Sequence, residues 1–598
     1  MLGKSRQLDI TMHVLGVCAF HGDCSAALIR DGKIVAAVEE ERFRRVKHWA
    51  GFPEKAIEYC LSEGNVDLEG LDAIAIGRNK RANMRERVSF VLCNPLSVKK
   101  LMGRYKNRKS IAGIAGRLAQ AFAFPVQSVE SRIRDVEHHL AHMASSFMVS
   151  PFEEAAIVTL DGFGDFVSSL QGYGRGNRIE VFDRVLYPHS IGLFYTMLTQ
   201  FLGFTKYGDE YKVMGLAALG EPTLKDKLKQ VIRYTGNGQY KLNLAYFRHH
   251  SQGVAMTWDG GEPTMGPVYT QKLIEDFGEA RKWDDDIEDY HRDLAASLQA
   301  VTEEIIFSML NCVYKKTKNK RLCLAGGVAM NSVANGKVFD HTPFEDIYIQ
   351  SAAGDAGTSL GAAYYVYNQL LGRERNFVMN SSYWGPSFSD EQIGSVLKTN
   401  EREISNRECD VIRIEEPSSL CKTTAKHIAE GKVVGWFQGR MEWGARALGN
   451  RSIVVDPRRA DMQDILNARI KRREPFRPFA PSILVEATGE YFEKDYPDPF
   501  MIKVYPIRPE KRKIIPAVTH VDGTGRLQTV SMEDNSLYYQ LIKEFERLTG
   551  VPVVLNTSFN ENEPIVCTPQ EALHCFLRTR MDVLVMGGYI ITRKDSQT

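Results

Sequence analysis

His138 and His142 stand four residues apart in the run His138-His139-Leu140-Ala141-His142. On a helix that spacing puts both imidazoles on one face, where they can grip one metal ion. The apolar run from Ala155 to Leu160 reads as a buried strand. It delivers Asp161 at its end, where the glycine turn Gly162-Phe163-Gly164-Asp165 begins. Two histidines and a strand-end carboxylate make a metal site in outline. A metallohydrolase of the HxxxH kind is one alternative. A helix of that kind needs a glutamate just after its first histidine as general base, and His139 occupies that position.

A second constellation lies far downstream. Between Arg440 and Arg477 ten Lys/Arg stand against five Asp/Glu, and glycines, prolines and aromatics separate the cations. Stiff loops that present guanidinium forks suit a compact dianion, because the fork matches phosphate oxygens. Nucleic acid is a poorer fit, since the cations do not follow one exposed face. Two further segments are a glycine turn presenting Arg526 and a strand, Pro552 to Leu555, that runs into the polar loop Asn556-Thr557-Ser558-Phe559-Asn560.

These groups need an α/β frame. Val14 to Phe20, Ser25 to Arg30 and Lys33 to Glu39 read as strands, the last two joined by the hairpin signal Asp31-Gly32. His21-Gly22-Asp23-Cys24 is a tight turn between the first two. The layout recurs after Asp161, with Ser168 to Gly172 as the returning strand, so the core should have two related halves. Further glycine turns are Gly326-Gly327, leading to Asn331, and Gly354-Asp355-Ala356-Gly357. Such turns let backbone N–H groups approach phosphate. No GxxxxGK[ST] loop is present. The actin-like ATPase and sugar-kinase architecture is a better match. His21-Gly22-Asp23 and Asp161-Gly162 would be its phosphate turns, and Gly326, Gly327 and Asn331 its nucleoside loop. A plain actin-like ATPase or kinase is therefore the other alternative, but it leaves the arginine-rich segment without a role. Residues 286–318 should form a long amphipathic helix that supplies core. Periodicity fails near 370–385, which divides the chain into 1–370, a linker at 371–384 and a second α/β domain at 385–598.

Composition sets the background. Over 598 residues, 43% hydrophobic and 25% charged content are globular values, and a net charge of +2 gives no reason to expect nucleic acid or an anionic membrane. Ten scattered cysteines without a CxxC pair point to reduced thiols in a cytoplasmic protein. The first residues lack the apolar core of a signal peptide, Met12 is a plausible alternative start, and no run reaches the length of a membrane span.

Along nearly its whole length the chain resembles the NodU/CmcH family of carbamoyltransferases. The matching text includes Phe20-His21-Gly22-Asp23, Glu39-Glu40-Glu41-Arg42-Phe43, Glu137 to His142, Asp161-Gly162, Gly208 to Ala217, Ala325 to Asn331 and Gly354 to Gly357. Thr519 to Val530 and Pro552 to Asn560 match in the carboxy-terminal part. The resemblance implies an actin-like, two-lobed amino-terminal domain followed by a YrdC-like α/β domain. It implies a metal held by His138, His142, Asp161 and Asp355, with iron(II) favoured over manganese or zinc. It implies that carbamoyl phosphate and ATP, with Mg2+, give carbamoyl-adenylate in the second domain. The carbamoyl group then passes to a hydroxyl of a small-molecule acceptor, a natural product or sugar.

On this reading Gly162, Gly326, Gly327, Asn331 and Gly354 are nucleotide-binding positions. Arg440, Arg446, Arg451, Lys471, Arg477, Arg526, Asn556 and Ser558 face the phosphates. His21, Asp23 and Lys47 are the catalytic candidates, His21 as orienting group or oxyanion stabiliser. Asp209 and Glu210 join Asp23 as possible bases. Residues 80–135, rich in lysine and arginine, and 236–285 are candidates for the acceptor pocket. The acceptor and the oligomeric state stay open.

Overall fold

The computed structural model describes residues 11–93 and 113–594. Lys99, Lys100, Arg104, Lys106, Arg108 and Lys109 of the basic stretch lie outside the described residues.

Two sheets of five strands carry the first part of the chain. In the first, β1 (His13–Cys18), β2 (Ser25–Arg30) and β3 (Lys33–Glu39) form an antiparallel meander. Asp31 and Gly32 both hold positive φ, 49° and 78°, the twist a two-residue hairpin needs. β4 (Ala73–Ile76) adds in parallel to β1, and β5 (Ile133–Asp135) to β4. The order is β3-β2-β1-β4-β5.

In the second sheet β6 (Glu154–Gly164), β7 (Val167–Arg175) and β8 (Arg178–Leu186) form the meander. β9 (Arg321–Ala325) pairs in parallel with β6, and β10 (Asp346–Tyr348) with β9. The order β8-β7-β6-β9-β10 repeats that of the first sheet strand for strand. The two halves are thus copies of one plan, the actin-like arrangement. Strands β1 and β4 are buried along nearly their full length, as expected where helices cover both faces.

Five helices matter for the site: α1 (Glu41–Arg44), α2 (His138–Phe147), α3 (Glu210–Leu216), α4 (Asp289–Thr317) and α5 (Gly357–Tyr364). α4 falls within the span expected for a long helix. Its face Leu294, Leu298, Val301, Ile305, Met309 and Val313 is in the core. α5 passes against both β1 and α2, and the carbonyl of Ala141 comes so close to Gly361 that no β-carbon fits there. Small residues on α5 therefore set how near the helix that carries the histidines can approach.

The carboxy-terminal strands make one mixed sheet of nine. Its order is Cys409–Arg413, Tyr589–Arg593, Val583–Met586, Val434–Phe437, Arg451–Val455, Val553–Ser558, Ala480–Leu484, Thr524–Val530 and Lys503–Pro506. Apolar side chains of this sheet and the helices on it, from Ile393 to Ile591, form a core of their own. Among the described residues no helix is long and apolar enough to cross a membrane.

Candidate active site and metal centre

α2 begins at Glu137, whose side chain accepts a hydrogen bond from the Leu140 N–H at 2.8 Å and so caps the helix. His138 and His142 follow at i and i+4 and share a face. β6 ends its buried run at Asp161, just where its register with β7 breaks between Leu160 and Gly164. Asp355 lies in the turn between β10 and α5. The four side chains converge. His138 Nε2 is 3.1 Å from His142 Nε2, 3.3 Å from Asp161 Oδ2 and 3.4 Å from Asp355 Oδ1. His142 Nε2 is 3.7 Å from Asp161 Oδ2 and 3.4 Å from Asp355 Oδ1. None of the four side chains is more than 9% exposed.

A tetrahedral ion with bonds of about 2.1 Å keeps its ligand atoms roughly 3.4 Å apart, so these separations suit a single ion. The donor set of two imidazoles and two carboxylates suits zinc, iron(II) or manganese. Asp355 Oδ1 is buried without a hydrogen-bond partner, a cost that a bound cation removes. Burial alone would raise the carboxyls of Asp161 and Asp355. The histidines, with His21 foremost for Asp355, outweigh it and hold both below the usual carboxylate range. His139 turns away, with Nδ1 2.8 Å from Thr159 Oγ1 and Nε2 3.1 Å from the Val167 carbonyl.

The glycine turns gather around this cluster. Gly162 directly follows Asp161. The Gly327 N–H donates to Asp161 Oδ1 at 2.9 Å, the Gly326 N–H to the Ala353 carbonyl at 2.8 Å, and Gly354 abuts Gly327. Asn331 is spent on structure. Its Oδ1 caps the next helix at the Ala334 N–H, 3.0 Å away, and its amide pairs with Gln299. His21 Nδ1 lies 2.6 Å from Asp355 Oδ2. Asp23, two residues on, turns instead to His48, with Oδ1 2.7 Å from Nδ1. Lys47 has an open surface yet is walled by protein. That burial, with Arg477 and Lys212 nearby, loosens its proton against the pull of Glu41. Asp209 is the ion partner of Lys212 at 3.0 Å, and Glu210 accepts from Thr196 Oγ1 at 2.6 Å.

The arginine-rich loops divide into two kinds. Arg451 is fully buried and donates to the carbonyls of Gln438, Gly439, Asn450 and Pro386. Arg440 donates to the carbonyls of Val35, Trp384 and Gly385 and to Tyr59 Oη. Both are fastenings of the backbone, not forks held out to an anion. Lys471 ties down the loop at Asn560, 2.7 Å from its Oδ1, and that loop also holds Ser558 Oγ at 2.8 Å. Asn556 donates to the Ala447 carbonyl at 3.1 Å and to Gln528 at 2.8 Å.

The second kind is a cluster of cations short of counter-charge, in which Glu474 pairs with Arg477 at 3.5 Å. Arg446 and Arg526 make no side-chain hydrogen bond or ion pair among the described residues, and the Nε of each is buried. Burial, then Arg446, Arg473 and Arg477, push the Arg526 guanidinium well below its ordinary range. Burial and Arg477 push Arg473 down to about 9, and burial takes Arg446 down to about 10. A guanidinium does not shed its proton in a protein, so this pressure is a standing cost of buried charge, with repulsion from its neighbours added, that a bound anion relieves. Arg473 was not among the sequence candidates. It sits two residues from Lys471 in a run of like cations, and only the fold separates the one that faces its fellows.

One segment touches both places. The Tyr207 hydroxyl lies against Gly22, and its phenol is raised well above the usual range by burial and by Asp355, Asp23 and Asp161. Four and five residues later, Arg477 stacks over the Tyr211 ring at 4.6 Å and Lys212 pairs with Glu474 at 3.1 Å. Neither Tyr207 nor His48 was singled out by sequence, because neither belongs to a spacing pattern.

Residues 13–364 match the family described as Carbamoyltransferase N-terminus, and residues 425–593 that described as Carbamoyltransferase C-terminus. The chain is 39% identical over 618 residues to the uncharacterized protein sll1178 of Synechocystis, covering 97% of each. It is 40% identical over 589 residues to the nodulation protein NolNO of Sinorhizobium fredii, covering 96% of this chain and 79% of that one. Component A of the Acidaminococcus fermentans (R)-2-hydroxyglutaryl-CoA dehydratase overlaps 59% of this chain and 97% of its own, at 13% identity and a TM-score of 0.30. The duplicated strand order, rather than that overlap, defines the fold. With both halves matched in order and a relative alike from end to end, the chain belongs to the carbamoyltransferase family.

Proposed function

We propose that the protein makes carbamoyl-adenylate from carbamoyl phosphate and ATP in residues 385–598, and transfers the carbamoyl group to an acceptor hydroxyl in residues 1–370, with 371–384 as the linker. In the first step carbamoyl phosphate gives up orthophosphate, taking up one water. The resulting carbamate oxygen bonds the α-phosphorus of ATP, and pyrophosphate leaves. In the second step the acceptor oxygen bonds the carbamoyl carbon, AMP leaves, and one proton is released.

The observation that carries the reading is the group Arg446, Arg473, Arg477 and Arg526, half-buried and more positive than its one paired carboxylate, Glu474 at Arg477, can offset. Such a group fits the phosphates of the first step. His138, His142, Asp161 and Asp355 would hold a divalent cation, iron(II) being the one favoured by the sequence resemblance. Bound there, it supplies positive charge to the adenylate phosphate and makes AMP a better leaving group. His21, fixed by Asp355, is placed to donate to an oxygen of the same intermediate. The Gly162, Gly327 and Gly354 turns leave backbone room for its nucleotide. Tyr207, Tyr211 and Lys212 lie on one segment that meets both places. A reactive intermediate passed along that segment without release to water would escape hydrolysis.

The acceptor is a small molecule bearing a hydroxyl. The test is the release of AMP and pyrophosphate from ATP, which should require carbamoyl phosphate. ATP turnover that ignores carbamoyl phosphate would instead support an actin-like ATPase.

A further inference from the structure

The turn that holds His21 has a second working face. His21 leans toward Asp355, while Asp23 leans the other way onto His48. Asp23 holds a left-handed φ of 60°, and residues 48–51 brace the turn from behind. The Cys24 N–H donates to the Trp49 carbonyl at 2.9 Å and the Phe20 N–H to the Gly51 carbonyl at 2.8 Å. The backbone N–H of His48 is itself fixed by Glu41 Oε2 at 2.8 Å. With Nδ1 committed to Asp23, the ring is oriented and Nε2 remains. Nε2 makes no hydrogen bond among the described residues and is not sealed from solvent. The Tyr207 ring stands edge-on to it, 5.5 Å between centroids, and a β-carbon at Gly22 would lie 2.4 Å from the Tyr207 hydroxyl. That hydroxyl likewise has no hydrogen-bond partner among the described residues.

We propose that His48, oriented by Asp23, is the general base of the transfer step, and that Tyr207 orients the acceptor hydroxyl beside it. This rests on the carbamoyl-transfer reading above. The acceptor oxygen bonds the carbamoyl carbon as the bond from that carbon to the adenylate oxygen breaks. The hydroxyl proton passes to Nε2 and from there to solvent, and AMP leaves as an anion. Asp23, Glu41 and His48 also lie within the spacing of metal ligands. The 2.7 Å contact is a hydrogen bond, however, and the other Glu41 oxygen is paired with Arg42 at 2.7 Å, so the set is spent as a dyad and its brace.

Four ionisable groups face the His48 ring besides Asp23: Glu41, Glu210, Lys47 and Tyr207. Burial favours the neutral ring, but Asp23 and then Glu41 outweigh it and lift His48 to about 9. Lys47 opposes them weakly. At neutral pH most of the enzyme then carries an imidazolium, so transfer should climb with pH and level off above that value.

The experiment uses the metal-loaded full chain with ATP and carbamoyl phosphate. ATP–pyrophosphate exchange reads the first step and checks folding. AMP release with water as acceptor, from about pH 6.5 to 10, reads the second. Hydroxylamine, a nucleophile strong enough to need no base, reads the second step without the dyad. In His48→Gln, transfer to water should fall by roughly 10²-fold and lose its alkaline rise, while capture as hydroxyurea falls by less than about fivefold. Asp23→Asn should move the rise to lower pH, and Tyr207→Phe should lower the rate without moving it. Three results would overturn the proposal: an unchanged alkaline rise in His48→Gln, equal losses with water and hydroxylamine, or a second bound metal that disappears with His48. No carbamoyl-phosphate-dependent exchange in the wild type would instead bring down the functional reading, and this proposal with it.

Discussion

The His–Asp cluster and the arginine cluster are built in opposite ways. The first stands on the face of α2, the end of β6 and the turn that enters α5, and its side chains are almost wholly buried. Its two carboxylates face rings that can be neutral, so it favours a cation and can hold one permanently. The second stands mostly on loops, with Arg526 on the strand Thr524–Val530; its arginines are half-open, and they repel each other. It favours an anion but is not closed over one. Rigid burial suits a resident ion and open loops suit a substrate that must enter and leave. On the proposed reading, the difference separates a cofactor region from a turnover region.

The comparison breaks most sharply at the metal ligands. His142→Ala should lose bound metal and lower transfer by 10²-fold or more, since one of roughly four ligands is gone. His139→Asn should keep metal, because His139 serves Thr159 and Val167. Elemental analysis of both variants decides this, and full occupancy in His142→Ala would end the distinction between the two regions.

Arg526→Ala should slow ATP–pyrophosphate exchange by about 10- to 100-fold, the loss of one charge-assisted contact of about 1.5–3 kcal/mol. The same variant without ligand should be no less stable than wild type in thermal unfolding, because a repelled charge has been removed. Pyrophosphate should stabilise the wild type more than the variant. A destabilised free variant would mean that Arg526 is structural, as Arg451 is.

The seam between the regions gives a pH-dependent effect. Glu39 Oε1 accepts from the Gly444 N–H at 2.8 Å in a buried setting. Burial lifts its carboxyl to about 7, against the pull of Arg42. A carboxyl raised on folding binds its proton more tightly in the folded state. Its contribution is therefore full below about pH 4.5 and is lost as pH rises through about 7. Glu39→Gln should stabilise the protein relative to wild type at pH 8, by a few kcal/mol at most, and lose that advantage by pH 5. Thermal unfolding at the two pH values checks the sign.

The smallest effect is expected at Lys212→Met. It removes the ion pairs with Asp209 at 3.0 Å and Glu474 at 3.1 Å, each worth about 1 kcal/mol. Exchange should change less than threefold. A larger loss would make Lys212 a substrate contact.

Much of the frame was legible in the sequence because strands and hairpins announce themselves locally. Asp31-Gly32 between alternating strands, and a second glycine turn after Asp161, were enough to expect two related halves, and the strand orders repeat. The i, i+4 spacing of His138 and His142 is likewise a local fact. Asp355 came from family likeness, since no periodicity links it to a helix over two hundred residues earlier. The arginines mislead because sequence displays charge and conceals partners. Arg446 and Arg451 look alike on paper, but one is left bare and the other is saturated by carbonyls. His48 reaches Asp23 through a turn with left-handed backbone, and Tyr207 reaches Gly22 across the fold. Long-range placements of that kind leave no pattern.

Gly444 holds a φ of 107°, and a β-carbon there would lie 2.5 Å from the Ser351 carbonyl. Its N–H meets Glu39 and its carbonyl meets Arg42 Nη2 at 2.8 Å. One residue of the carboxy-terminal part is thus keyed to two separate segments of the amino-terminal part, by shape and by charge. Such a joint restricts inheritance. Chimaeras that exchange one half between relatives must carry Glu39, Arg42, the 351–355 turn and Gly444 together, and new acceptors are more readily reached by altering the walls than by exchanging the halves.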